Sequence, residues 1–229
     1  MAESEWDDVL AAAARLQRLL PDAVLVGGTA ASLHAGHRVS FDDDHVLRDL
    51  RDRFDEVLAA LEATDGWVTA RVKRPVLVLG SLDGVETGVR NLIRRRPLEV
   101  ELADLPGGGQ IRVPTLAEML RIKAWLCLVR NATRDYLDVA ALAERLGPAA
   151  PQVVSEMDAY YSDQQGAGGR RVATQVAKQL ADPLPGDLSD VDLMSYRRLD
   201  RRWRDWGAVA AVCRRLALDV LDQQAGGPA

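Results

Sequence analysis

Cysteine, lysine and long apolar runs are scarce in this chain. The two cysteines among 229 residues, Cys127 and Cys213, each sit inside an apolar helical pattern. They read as small core residues, so neither a disulfide framework nor a thiolate metal centre is expected. No apolar run reaches the ~18 residues that span a bilayer, so no membrane partner is expected. Met1 to Trp6 carries acid where a secretory leader would carry base, which sets a cytoplasmic expectation. Lysine occurs only at Lys73, Lys123 and Lys178, against 26 arginines, so a lysine at a special position stands out. Aromatics are only 5% of the chain, and a group of them falls among the arginines of 196–206. The net charge of −5 argues against blanket affinity for nucleic acid. Arginine clusters at 94–96, 170–171 and 197–204 still allow local positive patches.

The remaining composition is that of a folded protein, with 48% hydrophobic and 28% charged residues. Hydrophobic spacing predicts an amphipathic helix over 3–19, a short buried strand at 23–26, a short helix at 29–36 and an extended segment over 37–46. A helix is predicted over 47–63. Strand-like runs follow at WVTARVK, VLVLGSL, VRNLI and LEVELADL, separated by Gly, Pro and charged turns, and the stretch PGGGQIRVP comes after them. Beyond it the chain is helical. Thr115 and Glu118 form a capping-box pattern opening a helix to about Val129, and a second helix ends at Gly147. Loops are predicted at 164–169 and 182–187 around a helix at 170–181, and a last helix is predicted near 206–221. This order gives an α+β fold: a mixed-sheet domain over 1–112, then a helical domain over 113–229.

The stretch VLVGGTAASLHAGHRVSFDDDHV carries the first chemical signal. A strand that ends in Gly27-Gly28 and opens a helix at Thr29 offers backbone N–H groups to an anion. In an extended segment Asp42 and Asp44 share a face and Asp43 points away. Two such carboxylates suit Mg²⁺, which takes a few carboxylates plus substrate phosphates. On this reading Asp43 is dispensable. The plainer alternative is a solvated acidic turn. A third carboxylate is offered by LEVELADL, where Glu101 is the first choice and Glu99 remains open.

Lys123 lies on an apolar helix among Leu116, Met119, Leu120 and Cys127, where its charge must snorkel or meet an anion. A compact ammonium in so arginine-rich a chain suggests a phosphate. Arg134, Asp135 and Asp138 crowd the junction of two helices, where a surface salt-bridge ladder is the plainer account.

Taken together these residues resemble the AbiEii/MenT-like family of nucleotidyltransferase toxins, within the DNA-polymerase-β-like superfamily. The family's strand, G-G-T-A and R-x-S-x-D-x-D run corresponds to VLVGGTA and Arg38-Val-Ser40-Phe-Asp42-Asp43-Asp44. Its L-x-x-K helix corresponds to Leu120-Arg-Ile-Lys123, and its R-D-x-x-D to Arg134-Asp135-Tyr-Leu-Asp138. Order and spacing extend over residues 22–145. The chain departs from the pattern at Asp43, usually apolar, and in a glutamate where an aspartate is usual for the third carboxylate. The resemblance implies a nucleotidyltransferase-type core in which Mg²⁺ held by Asp42, Asp44 and Glu101 binds a nucleoside triphosphate (NTP). The nucleotide passes to an acceptor hydroxyl and pyrophosphate is released. Gly27, Gly28 and Thr29 would cradle phosphates, and Ser40 and Lys123 would contact the triphosphate. Arg38, Arg134 and Asp135 would bind substrate, and Asp138 would position a base, sugar or acceptor. The resemblance further implies tRNA modification at the 3′ end and a cognate antitoxin. Tyr196 to Trp206 interleaves arginines with aromatics, which fits an RNA acceptor, although a helix with buried aromatics would look the same. A protein or small-molecule acceptor, such as an antibiotic, and a silent nucleotide-binding module are the alternatives.

Overall fold

The computed structural model describes residues 2–165 and 169–226, in two units. The first contains residues up to Ala30, Ser40–Ile93 and Pro97–Thr115; the second contains Ala31–Val39, Arg94–Arg96 and residues from Leu116 onward. The division therefore differs from a single cut at 112/113. Two short segments of the N-terminal half belong with the helices because each carries an arginine into a buried ion pair there. Arg38 bonds Asp138, and Arg94 bonds Glu118.

In the first unit, helix α1 (Ala2–Leu19) leads into strand β1 (Val24–Leu25) and the start of helix α2 (Gly27–Ala35). Strand β2 (Asp43–Leu47) and helix α3 (Phe54–Glu62) follow, then β3 (Trp67–Lys73), β4 (Leu77–Leu82) and β5 (Val85–Asn91). The five strands form one sheet in the order β1-β2-β5-β4-β3, in which β2 and β5 run parallel and the other pairs antiparallel. The β4–β5 hairpin turns on Asp83-Gly84, both at positive φ (+53° and +83°), the conformation an Asp-Gly two-residue turn supplies at least cost. Strands β6 (Val100–Asp104) and β7 (Gln110–Pro114) form a separate two-stranded sheet.

Leu16, Leu20, Leu47, Leu50, Phe54, Val57, Leu61, Val78, Leu82 and Val89 make the core of this unit, each removed from water. Burial of this kind contributes about 1.5–3 kcal/mol per side chain. The predicted helix over 47–63 begins only at Phe54. Leu47 ends β2, paired with Asn91, and residues 48–53 form a turn held by the Asp49–Arg53 ion pair at 3.0 Å. Strand β7 falls within PGGGQIRVP, for which the spacing predicts no element. Its inward Ile111 and Val113 alternate with exposed Gln110 and Arg112, but the glycines and prolines around it mask that period.

A buried polar chain ties these pieces together. The Gln17 side chain of α1 accepts from the Arg112 backbone N–H (2.7 Å) and donates to the Arg112 carbonyl (2.9 Å), so its amide orientation is fixed. Its Nε2 also lies 3.2 Å from Nε2 of His45, which therefore accepts and leaves its proton on Nδ1. That Nδ1 sits 3.0 Å from Oδ1 of Asp43, and Thr87 of β5 approaches the other oxygen at 3.5 Å. Replacing Gln17 by alanine leaves both Arg112 backbone groups and His45 short of partners. We expect a loss of about 1–3 kcal/mol, measured by urea denaturation; an unchanged midpoint would mean the chain is not formed.

The second unit is helical: α4 (Leu116–Val129), α5 (Thr133–Leu146), α6 (Ala150–Ser155), α7 (Met157–Tyr160), α8 (Val172–Ala181) and α9 (Trp206–Gly226). Helix α4 packs on α5 and α8, while α9 packs on α5, α6 and α8. Both cysteines are buried in the helical core. Glu118 is fully buried between Arg94 (2.6 Å) and Arg121 (3.1 Å), and Arg121 lies over the Tyr160 ring. Burial pushes its carboxyl up, and the two guanidiniums act against that. Residues 166–168 of the loop read at 164–169 lie outside the described residues. Among the described residues no helix is long and apolar enough to cross a membrane.

Candidate active site

The strand carrying the aspartates shows its two faces plainly. Asp43, His45 and Leu47 are buried, Asp44 and Val46 are half-buried on the other side, and Asp42 is exposed just before the strand. Asp43 does point away from Asp44, as the alternation requires, but it points into the polar chain described above. Loss of Asp43 is therefore expected to be tolerated in transfer but to cost stability.

Asp44 is seated between two glycines. A Cβ on Gly27 would lie 3.3 Å from Oδ2 of Asp44, and one on Gly88 would lie 3.0 Å from Oδ1. Gly27 also has φ +73°, which disfavours any other residue. Gly88 stands opposite Asp44 in the parallel β2–β5 pair. The Thr29 hydroxyl is buried and donates to the Asp42 carbonyl at 2.6 Å. It therefore fixes the backbone at Asp42, where a phosphate contact had been expected. Gly28 lies beside it in the first turn of α2, and Ser40 is buried. Gly88→Ala, whose Cβ would meet Leu79 Cδ2 at 2.8 Å and the Asp44 carboxylate at 3.0 Å, is expected to displace both side chains and to lower transfer roughly tenfold to a hundredfold in the folded protein. Steady-state rates beside a thermal melt test this, and an unchanged rate would mean the close seat is unimportant.

Glu101 does not join the pair. It lies exposed on β6, in the two-stranded sheet, while Asp44 belongs to the five-stranded one. Among the described residues no three His, Cys, Asp or Glu side chains gather as a metal site. The strand that runs parallel beside β2 is β5, and not LEVELADL. The side chain that β5 brings to Asp44 is Arg90, 3.4 Å from Oδ1.

In the second unit the remaining motif residues converge on Asp138, which has no exposed surface. Arg38 donates to both its oxygens (2.9 and 3.0 Å), Nε2 of His37 lies 2.7 Å from Oδ1, and the Lys123 ammonium 2.7 Å from Oδ2. Lys123 also reaches buried Asp135 at 3.4 Å, which Arg130 approaches at 3.5 Å. Burial works to raise the Asp138 carboxyl, but Arg38, Lys123 and His37 outweigh it and hold it well below the carboxylate range. Lys123 does meet an anion, as its place on an apolar helix required, but the anion is Asp138 and the lysine is 2% exposed. Arg134 alone of this motif is exposed.

Over residues 8–223 the sequence matches the family model described as nucleotidyl transferase AbiEii toxin, type IV toxin–antitoxin system. The chain belongs to the AbiEii nucleotidyltransferase toxin family. A solved nucleotidyltransferase structure from H. pylori has the same fold as this AbiEii-family chain. The TM-score is 0.50 at 17% identity, over 95% of this chain and 98% of that one. The heme uptake protein MmpL11 of Mycobacterium tuberculosis (strain ATCC 25618 / H37Rv) is 37% identical over 196 residues, 80% of this chain. The mycolic acid-containing lipids exporter MmpL11 of Mycolicibacterium smegmatis is 35% identical over 131 residues, 57% of this chain. The AbiEii-family chain spans only 20% and 13% of those two proteins.

The chain thus belongs to a nucleotidyltransferase family and has an α+β fold of mixed sheet and C-terminal helices. Its basic–aromatic tail is arranged more simply than its composition suggested. Trp203 is buried and Trp206 packs edge-on against Tyr136, while Arg197, Arg198, Arg201, Arg202 and Arg204 face solvent. The cations are displayed and these two indoles are not. Sequence reasoning missed His37, the Thr29 link to Asp42 and Arg90. Of these only Arg90 had a visible signal, a charge inside the strand-like VRNLI.

Proposed function

We propose that this AbiEii-family enzyme transfers a nucleotide from an NTP to the 3′-terminal hydroxyl of an RNA, most simply tRNA, in a reaction that requires Mg²⁺. The observation that carries the reading is the exposed Asp42 followed by Asp44 in its glycine seat. Two hard carboxylates with space kept beside them are a donor set suited to Mg²⁺, whose other positions go to water and phosphate oxygens. Asp42 and Asp44 would hold the ion, which supplies positive charge against the triphosphate and the departing pyrophosphate.

The rest is the work of the chain itself. The acceptor oxygen bonds to the α-phosphorus, the bond from that phosphorus to the α–β bridging oxygen breaks, and the hydroxyl proton leaves to solvent. Gly27 and Gly28 in the first turn of α2 offer backbone N–H groups to phosphate oxygens. The buried knot of Arg38, Lys123 and Asp138 holds the 37–39 segment on the helices of the second unit rather than contacting substrate, since Asp138 has no exposed surface. Exposed Arg134 and the arginines of 197–204 supply charge for a phosphate backbone. An antitoxin restrains the enzyme, and the NTP and RNA place its action in the cytoplasm.

The test is incubation of the protein with total tRNA, Mg²⁺ and each α-labelled NTP in turn. Label on the RNA with one NTP, lost with EDTA and with Asp42→Ala, is expected. Label that survives EDTA would overturn the metal requirement. Absence of label on RNA, with label instead on protein or a small hydroxylated molecule, would overturn the acceptor.

A further inference from the structure

Two arginine–carboxylate pairs in this protein are built for opposite purposes. Arg38 and Asp138 are locked, both buried, with two parallel bonds at 2.9 and 3.0 Å. Arg90 and Asp44 are loose. Both Nε and one terminal nitrogen of Arg90 share a single oxygen of Asp44 at 3.4 Å, well beyond the ~2.7–2.9 Å of a tight charge-assisted bond. The two side chains are 46% and 31% exposed. An exposed pair of this geometry contributes little and is cheaply broken.

The placement of Arg90 gives that looseness a use. In the parallel β2–β5 pair Asp44 stands opposite Gly88 and Val46 opposite Arg90. Arg90 therefore rises from the same sheet face as Asp44, one strand across, and reaches back over Gly88 to it. Gly88 has no side chain to obstruct that reach. A divalent cation on the Asp44 carboxylate would set two like charges side by side, and Arg90 would lose its partner. Its guanidinium, with five N–H donors in a planar fork, would then be free beside the triphosphate.

We propose that Arg90 is a triphosphate-binding residue that exchanges partners during loading. It neutralises Asp44 while no cation is bound, and it turns to phosphate oxygens when cation and NTP arrive. The inference rests on the proposed metal site and adds to it a cationic group from β5. It gives the ion pair two consequences of opposite sign, because the same guanidinium competes with the cation and assists the nucleotide.

The experiment uses the full chain and Mn²⁺ as an EPR-visible stand-in for Mg²⁺, with and without the α,β-methylene analogue of each NTP. Arg90→Gln is expected to bind Mn²⁺ alone about two- to fivefold tighter, the effect of removing an exposed competing pair. With Mn²⁺ present it is expected to bind the analogue roughly tenfold more weakly, the effect of losing a charge-assisted contact. Arg90→Lys is expected to fall between the two, and circular dichroism should be unchanged for both. If Asp44→Asn leaves Mn²⁺ binding intact, the metal-site reading itself fails. If Asp44→Asn loses Mn²⁺ while Arg90→Gln changes neither binding, the Arg90 inference alone is overturned. It is equally overturned if Arg90→Gln weakens Mn²⁺ as well as analogue, since the arginine would then be only a support for Asp44.

Discussion

Asp138→Ala is expected to cost this protein about 3–5 kcal/mol, a large share of the stability a domain usually has. The carboxylate is the one anion shared by Arg38, His37 and Lys123, and all four groups are buried. Without it two cations remain out of water with only Asp135 nearby, on Lys123 at 3.4 Å. An uncompensated buried charge is far more costly than the pair was stabilising, so the loss is expected to exceed that from any exposed ion pair here. The same group sets an acid limit. Its neighbours hold the folded-state carboxyl well below its ordinary 3.8. The stability it contributes is therefore complete above the unfolded value and is lost as pH falls below it toward the folded one. Urea midpoints followed from pH 7 to pH 2 should fall steeply below about pH 4 for the parent and less steeply for Asp138→Asn. Equal midpoints for Asp138→Ala and parent at pH 7 would show that the knot does not form.

The second large effect separates three adjacent residues. Asp42→Ala and Asp44→Ala are expected to lower nucleotide transfer by about a thousandfold or more, since each removes a carboxylate from the proposed cation site. Neither should disturb folding, because Asp42 is exposed and Asp44 gives up only a loose surface pair, worth about 0–1 kcal/mol. Asp43→Ala should do the reverse. Its removal takes from buried His45 the carboxylate 3.0 Å from Nδ1 and opens a gap beside Thr87, whose hydroxyl keeps its 3.0 Å bond to the Val85 carbonyl, a loss of about 1–3 kcal/mol. The fraction that stays folded should keep most of its transfer activity. Rates normalised to folded protein and melting curves on all three variants decide it. Loss of rate from Asp43→Ala in fully folded protein would overturn the separation of roles.

How much of this was legible in the sequence depends on whether a residue's partner lies nearby along the chain. Helices α4, α5, α8 and α9 and the strands β3 and β4 could be read because their periods are local and their ends carry Gly, Pro and Asp-Gly signals, whereas the spacing predicts no separate helix for α6 and α7. The 47–63 segment was misread because Leu47, Leu50, Phe54, Val57 and Leu61 keep helical spacing although the first two sit in a strand and a turn. All five reach the same core, so burial alone could not separate the two structures.

The motif residues were also found from sequence, since charges on apolar faces or beside glycines are improbable without a cause. Their assignments were harder. Lys123 and Asp138 were recognised as special, but that each is the other's partner depends on α4 packing against α5. Glu101 looked as good as any carboxylate until pairing put β5 beside β2 and left β6 in a sheet of its own. Asp43 looked spare because alternation tells which way a side chain points and not what waits there. The sequence by itself determined the family, the fold class and the two outward aspartates, because these follow from local spacing. Only the tertiary structure decided which charges are locked, which are loose and which strand faces Asp44, because pairs such as Arg90–Asp44 and Arg38–Asp138 join residues 46 and 100 positions apart.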